Sequence, residues 1–369
     1  MPLRFPSAKL IEAGGAGIAA PRWCTPPALR RSPWTRFRAV LYALLTAALL
    51  ADFAVAGDLN GPLLGFLPDT THTVRPILGI PGAATLAAPL DLGADVSAIW
   101  ISSRQNLALL ATESAVRTAS IAAAGANSIT DAGLPPGFQP TAVAFSPSGA
   151  TAALYDAEAR SLWVLNSGSV ESSILPAPIR ILAVSDGSAP LIAGTVAGDV
   201  RSVFILDTQG NYRSIPGFNR VASVTFLGKT RDLAIADSGA RQVLMVRDPL
   251  TGNAPEVLWT ADADAPVAVA SSVDGASLAV LMGNPLRAGR AVRGGARHPA
   301  GSVAGILNVA SRQWISVQCA CEATTLIPLR GNAVFRLTDA AGQPVWLLDG
   351  DAGQPRAAFV PAPAVEVQP

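Results

Sequence analysis

The sequence predicts an all-β fold, a β-propeller of six blades with seven as the alternative count, and an N-terminal signal segment outside that fold. Three observations carry this. Five apolar segments ending in Asp or Asn recur at a near-constant step, turn formers are abundant at 33 Gly and 30 Pro in 369 residues, and no long stretch has helical periodicity.

The expected organisation follows the chain in order. Residues 1–56 read as leader and signal peptide, 57–95 as an entry segment with ring-closing strands, 96–358 as the propeller and 359–369 as a loose tail. Within the leader, Arg30, Arg31, Arg36 and Arg38 precede the apolar run Ala39–Leu50, which is followed by Ala54-Val55-Ala56. A basic flank, an apolar stretch and a small-x-small site form a secretory signal, and cleavage after Ala56 is expected. The run is too short to span a bilayer, and Asp52 interrupts its extension. A secreted or periplasmic protein is therefore expected, with membrane attachment only if the leader is retained.

Residues 57–369 hold 20 Lys/Arg against 24 Asp/Glu, a net charge near −4. That mild acidity excludes a generic nucleic-acid surface.

The repeat is most visible in Leu162–Asn166, Val203–Asp207, Leu244–Asp248, Ala304–Asn308 and Val345–Asp349, whose last residues are spaced 41, 41, 60 and 41. A period near 41 fits one four-stranded blade. The long interval holds about 19 extra residues, with Leu286–Gly301 as the obvious insertion. Upstream of each segment lies a strand–turn–strand unit, clearest in Ala142–Gly149 followed by Ala152–Asp156. Continuous apolar runs of this kind belong to strands buried on both faces. Six units begin near residues 96, 140, 180, 221, 266 and 323; Val74–Gly82 precedes them as one or two strands expected to pair with the final blade and close the circle.

The segment Phe145-Ser146-Pro147-Ser148-Gly149, with Leu162–Asn166 after it, resembles the repeats of bacterial YVTN/TolB-like propellers. The resemblance spans roughly residues 96–350. Most copies lack Ser-Pro-Asp-Gly, and the Gly-His and Trp-Asp pairs of WD repeats are absent. It implies a ring scaffold used for protein or ligand binding, and fold alone assigns no reaction.

Chemistry-bearing motifs are sparse. His72 and His298 lie far apart with no Ser or Cys elbow beside them, and there is no Gly-x-Ser-x-Gly, His-Glu-x-x-His or phosphate loop. Asp262/Asp264 and Asp349/Asp351 place carboxylates two apart without a full calcium-ligand series and read as solvated turns. No catalytic residue, metal ligand or cofactor is assigned.

Arg287, Arg290, Arg293 and Arg297 concentrate positive charge in the Gly-rich insertion and are the candidate grip on an anionic partner. Cys319 and Cys321 are the candidate disulfide, a local staple at the margin of allowed i, i+2 geometry. Trp100, Trp163, Trp259, Trp314 and Trp346 fall in expected strands and read as blade packing.

The function expected is a monomeric, non-enzymatic scaffold for an unidentified protein or anionic ligand. The alternatives are a propeller hydrolase or lactonase with an acidic central site, and an envelope-anchored structural protein.

Overall fold

The computed structural model describes residues 61–68, 73–92, 96–166, 168–283, 302–323, 325–338 and 344–362. They form seven antiparallel sheets arranged as blades, one more than the six expected.

Blade 1 is β1 (Leu63–Pro68), β2 (Val74–Leu78) and β3 (Thr85–Leu86), extended by a bridge between Val74 and Leu90. Blade 2 is β4 (Ala98–Ile101), β5 (Leu107–Ala111), β6 (Val116–Ala122) and β7 (Gly125–Asp131). Blade 3 is β8 (Ala142–Phe145), β9 (Thr151–Asp156), β10 (Ser161–Asn166) and β11 (Ser169–Ile174). Blade 4 is β12 (Ile179–Val184), β13 (Ile192–Val196), β14 (Ser202–Leu206) and β15 (Tyr212–Pro216). Blade 5 is β16 (Val221–Phe226), β17 (Leu233–Asp237), β18 (Gln242–Val246) and β19 (Glu256–Thr260). Blade 6 is β20 (Ala265–Ser271), β21 (Ser277–Gly283), β22 (Ser302–Asn308) and β23 (Trp314–Cys319). Blade 7 is β24 (Ile327–Pro328), β25 (Val334–Arg336), β26 (Val345–Asp349) and β27 (Arg356–Val360).

The miscount has a physical cause. Blade 1 lacks the long third strand that carries the repeat signature, because β3 is two residues long and its fourth element is a single bridge. Val74–Leu78 pairs with β1 instead of with the final blade. Among the described residues no sheet mixes strands from the two ends of the chain. At the other end, β27 runs to Val360, two residues beyond the expected propeller boundary, and Val360 is fully buried.

The apolar runs make sense blade by blade, because alternate residues of one strand enter different cores. In β17, Leu233 and Ile235 face blade 4 while Ala234 and Ala236 face blade 6. In β9, Ala152 and Leu154 pack toward blade 2 and Ala153 and Tyr155 toward blade 4. Seven such cores fill the seven gaps between neighbours, including the gap between blades 7 and 1, where Leu64, Leu67 and Ile77 meet Leu329, Val345 and Val360.

In blades 4 and 6 the repeat's terminal Asp or Asn closes the turn between third and fourth strands. Asp207 accepts from the backbone of Gln209 and Asn211 and from the Asn211 side chain, and Asn308 accepts from Ser311. These are Asx turns, which short polar side chains form readily. The Asn211 amide, foremost, holds the Asp207 carboxyl below its ordinary value. Asp349, expected to be solvated, is instead buried and paired with Arg356 at 3.0 Å.

A second set of polar contacts belts the ring through the turns between first and second strands. Gly149, at φ 71°, lets its turn lie against Ser102–Arg104 of blade 2; a Cβ there would sit 3.2 Å from the Arg104 nitrogen. The Ser148 hydroxyl and backbone N–H donate to Asp186 of blade 4. Arg231 reaches the Ala189 carbonyl, Gly228 N–H donates to Ser271, and Asn332 exchanges hydrogen bonds with Asp274.

Gln105 completes the belt across the join. Fully buried and at φ 58°, it accepts from the Phe66 N–H of blade 1 at 2.8 Å and donates to the Pro328 carbonyl of blade 7 at 2.8 Å. Its second amide hydrogen goes to the Ser102 carbonyl, and its own carbonyl accepts from Arg330.

Replacing Gln105 by Leu strands the Phe66 N–H and the Pro328 carbonyl. A buried unsatisfied group costs about 1–3 kcal/mol, so Gln105→Leu should lose about 2–5 kcal/mol in urea unfolding. A loss under about 1 kcal/mol would show that closure does not depend on it.

Asp274 ties the belt to pH. Burial raises its carboxyl, but donors from Ser272, Ala276 and Asn332 outweigh this and hold it below 3.8. A lowered folded pKa gives stability that is complete above 3.8 and lost as pH falls through the folded value. The stability gap between wild type and Asp274→Asn should thus be constant near neutrality and shrink in acid. A gap unchanged down to about pH 2 would refute it.

Candidate functional site

Seven first strands meet around the axis but do not fill it. Second strands such as β9 and β17 are buried along almost their whole length, whereas β4 and β8 are half-buried throughout. The difference is geometric: second strands lie between two neighbouring blades, and first strands have one edge on the axis. In β1, β12, β16 and β20 the register also slips near the strand start, a bulge that re-aims the side chains following it.

The result is a central cavity of about 560 Å³, lined by every first strand. Phe66 and Pro68 come from β1, Ile99, Trp100 and Ile101 from β4, and Val143, Ala144 and Phe145 from β8. Leu182 and Ala183 of β12, Val224 and Thr225 of β16, Val269–Ser271 of β20 and Ile327–Pro328 of β24 close the circuit. Belt turns contribute Ser103, Gln105 and Pro147. Arg336 of β25 is the single charged residue among the described lining and is itself buried.

The polar wall is largely committed to the fold. Ser271 accepts from Gly228 N–H and donates to the Ser272 carbonyl, and Gln105 is used as described above. What the cavity offers a visitor is apolar surface from Trp100, Phe66, Phe145 and branched aliphatics, with one guanidinium in the wall.

Of the residues singled out in the sequence, Arg287, Arg290, Arg293, Arg297, His72 and His298 lie outside the described residues. The insertion leaves β21 and re-enters β22. Cys319 ends β23, and Cys321 follows it; both are buried in the core between blades 6 and 7, joined as a disulfide with Cα atoms 5.1 Å apart. Asp262 and Asp264 are exposed, and no group of three or more His, Cys, Asp or Glu able to hold a metal exists among the described residues.

Four of the five singled-out tryptophans pack between or along blades: Trp163 lies edge-on to Phe138, Trp259 packs on Trp314 at 4.8 Å, and Trp346 contacts Phe359. Trp100 differs, because it also lines the cavity. Arg336 and Gln105 were not legible as site residues. Val334-Phe335-Arg336-Leu337 reads as an ordinary strand, and only the register opposite Ile327 places Arg336 in the wall.

No family model and no curated protein matches the chain in sequence. Among solved structures, a protein of unknown function from Desulfotomaculum acetoxidans superposes with a TM-score of 0.52 at 12% identity, covering 82% of this chain and 100% of that one. The WD40 repeats of RRP9 give 0.48 at 12% identity, covering 78% and 86% of the two chains, and the Neurospora crassa Pan2 WD40 domain gives 0.46 at 13%, covering 74% and 81%. At these identities the likeness is one of fold, and the chain is a β-propeller.

Proposed function

We propose that this propeller is a secreted or periplasmic, non-enzymatic scaffold that takes a ligand or protein partner at its central channel and surrounding turns. The observation carrying this is the 560 Å³ cavity walled by all seven first strands, a volume within the range of ligand pockets. An acid-lined hydrolase or lactonase site would need carboxylates on those strands, and the described lining supplies none. Kinship with YVTN/TolB-like bacterial propellers is supported by Phe145–Gly149 and Leu162–Asn166.

Export is supported by the leader pattern ending at Ala56 and by the Cys319–Cys321 pairing, which suits an oxidising compartment. Arg287, Arg290, Arg293 and Arg297 supply a second, basic contact for an anionic partner in an otherwise acidic region.

Filling the channel tests the site. Ala144→Trp adds bulk where Ala144 lines the cavity. Small amphiphiles that raise the melting temperature of wild type, in a panel of mixed charge, should lose that effect in the variant. If every stabilising compound acts equally on both proteins, the channel is not the binding site.

Mass spectrometry of the full-length protein recovered from the periplasm or medium of a bacterial expression host tests export. The mature chain should begin at Gly57; an intact Ala56–Gly57 bond would overturn cleavage.

A further inference from the structure

We propose that the channel recognises a small, uncharged, hydroxylated ligand through the main chain: its hydroxyls pair with N–H and C=O groups on the inner edges of β4, β8, β12 and β16. The assignment rests on the channel being a binding site, as proposed above, and adds the chemistry of its ligand.

Strand pairing fixes which groups face the axis. Each first strand is the end strand of its sheet, so its main-chain groups point alternately into the sheet and out of its inner edge. The turns set the phase. The N–H groups of Ser102, Ser146, Ser185 and Leu227 donate to the carbonyls of Leu107, Thr151, Leu191 and Asp232 at 2.8 or 2.9 Å. Counting back along each register, Trp100, Ala144, Ala183 and Thr225 also bond within their sheets, whereas Ile99, Ile101, Val143, Phe145, Leu182 and Val224 turn their N–H and C=O groups to the axis. All six line the cavity.

Elsewhere around the ring, side chains have already taken the inner edge. The Val269 N–H of β20 donates to the Ser223 hydroxyl at 3.3 Å, the Phe66 N–H donates to Gln105, and the Pro328 carbonyl accepts from Gln105. Among the described residues no side chain caps the six axis-facing residues of blades 2 to 5 in this way. Those blades form a polar arc of the channel, and blades 6, 7 and 1 form its closed side.

The arc dictates the ligand. Main-chain groups withdrawn from the bulk solvent keep a partner, and a ligand that displaces water from them has to replace its hydrogen bonds. A purely apolar ligand would strand them. The arc offers donors and acceptors alike and carries no net charge, and Arg336, the single charged residue of the described lining, already has a partner in the fold. A carboxylate or ammonium would give up its hydration there without meeting an opposite charge. A hydroxyl both donates and accepts, so it suits either kind of main-chain group. Trp100, Val143 and Phe145 beside the arc supply apolar surface for the carbon frame.

Amide NMR titrations with cyclohexanediol, benzene, cyclohexanecarboxylate and cyclohexylammonium, probes of similar ring size, test this on the wild-type protein. The diol should bind about tenfold more tightly than the other three, a margin that two net hydrogen bonds supply. It should shift the amides of Ile101, Val143 and Phe145 and spare those of Trp100 and Ala144, which are bonded inside their sheets. Binding with equal shifts in the two sets, or with none, overturns recognition by the main chain. Benzene or either ion binding as tightly as the diol overturns the uncharged, hydroxylated class. If no probe binds while other compounds are displaced by Ala144→Trp, the ligand class fails and the site stands; if nothing is displaced by Ala144→Trp, the channel itself fails as the site.

Discussion

The ring depends on the seam between its first and last blades. Among the described residues each sheet is built from one continuous stretch of chain, and none takes a strand from the other end. Closure falls to the core formed by Leu64, Leu67 and Ile77 against Leu329, Val345 and Val360, to the hydrogen bond from the Arg330 N–H to the Leu64 carbonyl at 2.8 Å, and to Gln105, which joins blades 1, 2 and 7. If the seam opened, Leu329 and Val345 would face water, and the buried Gln105 amide could no longer bond both Phe66 of blade 1 and Pro328 of blade 7. Burial supplies the larger share of the energy, and the amide supplies the register, because its donors and acceptors fit one arrangement of the three blades.

The same constraint fixes what a blade sequence must look like. A blade packed on both faces needs apolar residues on both sides of its inner strands, as β9 and β17 have, whereas β6 alternates with the exposed Arg117 and Ser120. Within each four-stranded blade the chain reverses at turns that need particular residues, such as Asp207 or Asn308 closing the outer hairpins and Gly149 or Gly228 allowing close approach at the belt. Polar residues are thus spent where the chain reverses, and apolar residues where it runs straight.

This explains how much could be read from the sequence. The repeat was legible because the third strands β10, β14, β18, β22 and β26 each end at, or within two residues of, an Asp or Asn, at a step of 41 in every interval but the one holding the insertion. Blade 1 was not, because its outer half has shrunk to Thr85–Leu86 and a bridge at Leu90, leaving neither the apolar run nor its Asx end. Spacing made Cys319 and Cys321 a candidate staple and no more, and their place inside an inter-blade core required the fold. Gln105 and Arg336 left no local signal: one lies in a polar turn and the other in an apolar strand, and each gains its role from residues more than 200 positions away or from the opposite wall of the ring.

Stability and binding are consequently located in different parts of each blade. Second strands such as β9 and β17 are buried almost throughout and feed the cores, while first strands such as β8 pack into cores on both faces and also present an edge to the axis. Val143 and Phe145 illustrate the division, since both pack against the core between blades 2 and 3 and both line the channel. A seven-fold arrangement of such strands leaves a cavity that packing alone does not require to be filled. Its lining can then change from apolar to charged without loosening the ring, provided the belt and the seam remain intact. Arg336 is one such change: a charge placed in the wall by a strand whose neighbouring residue, Phe335, still serves the core.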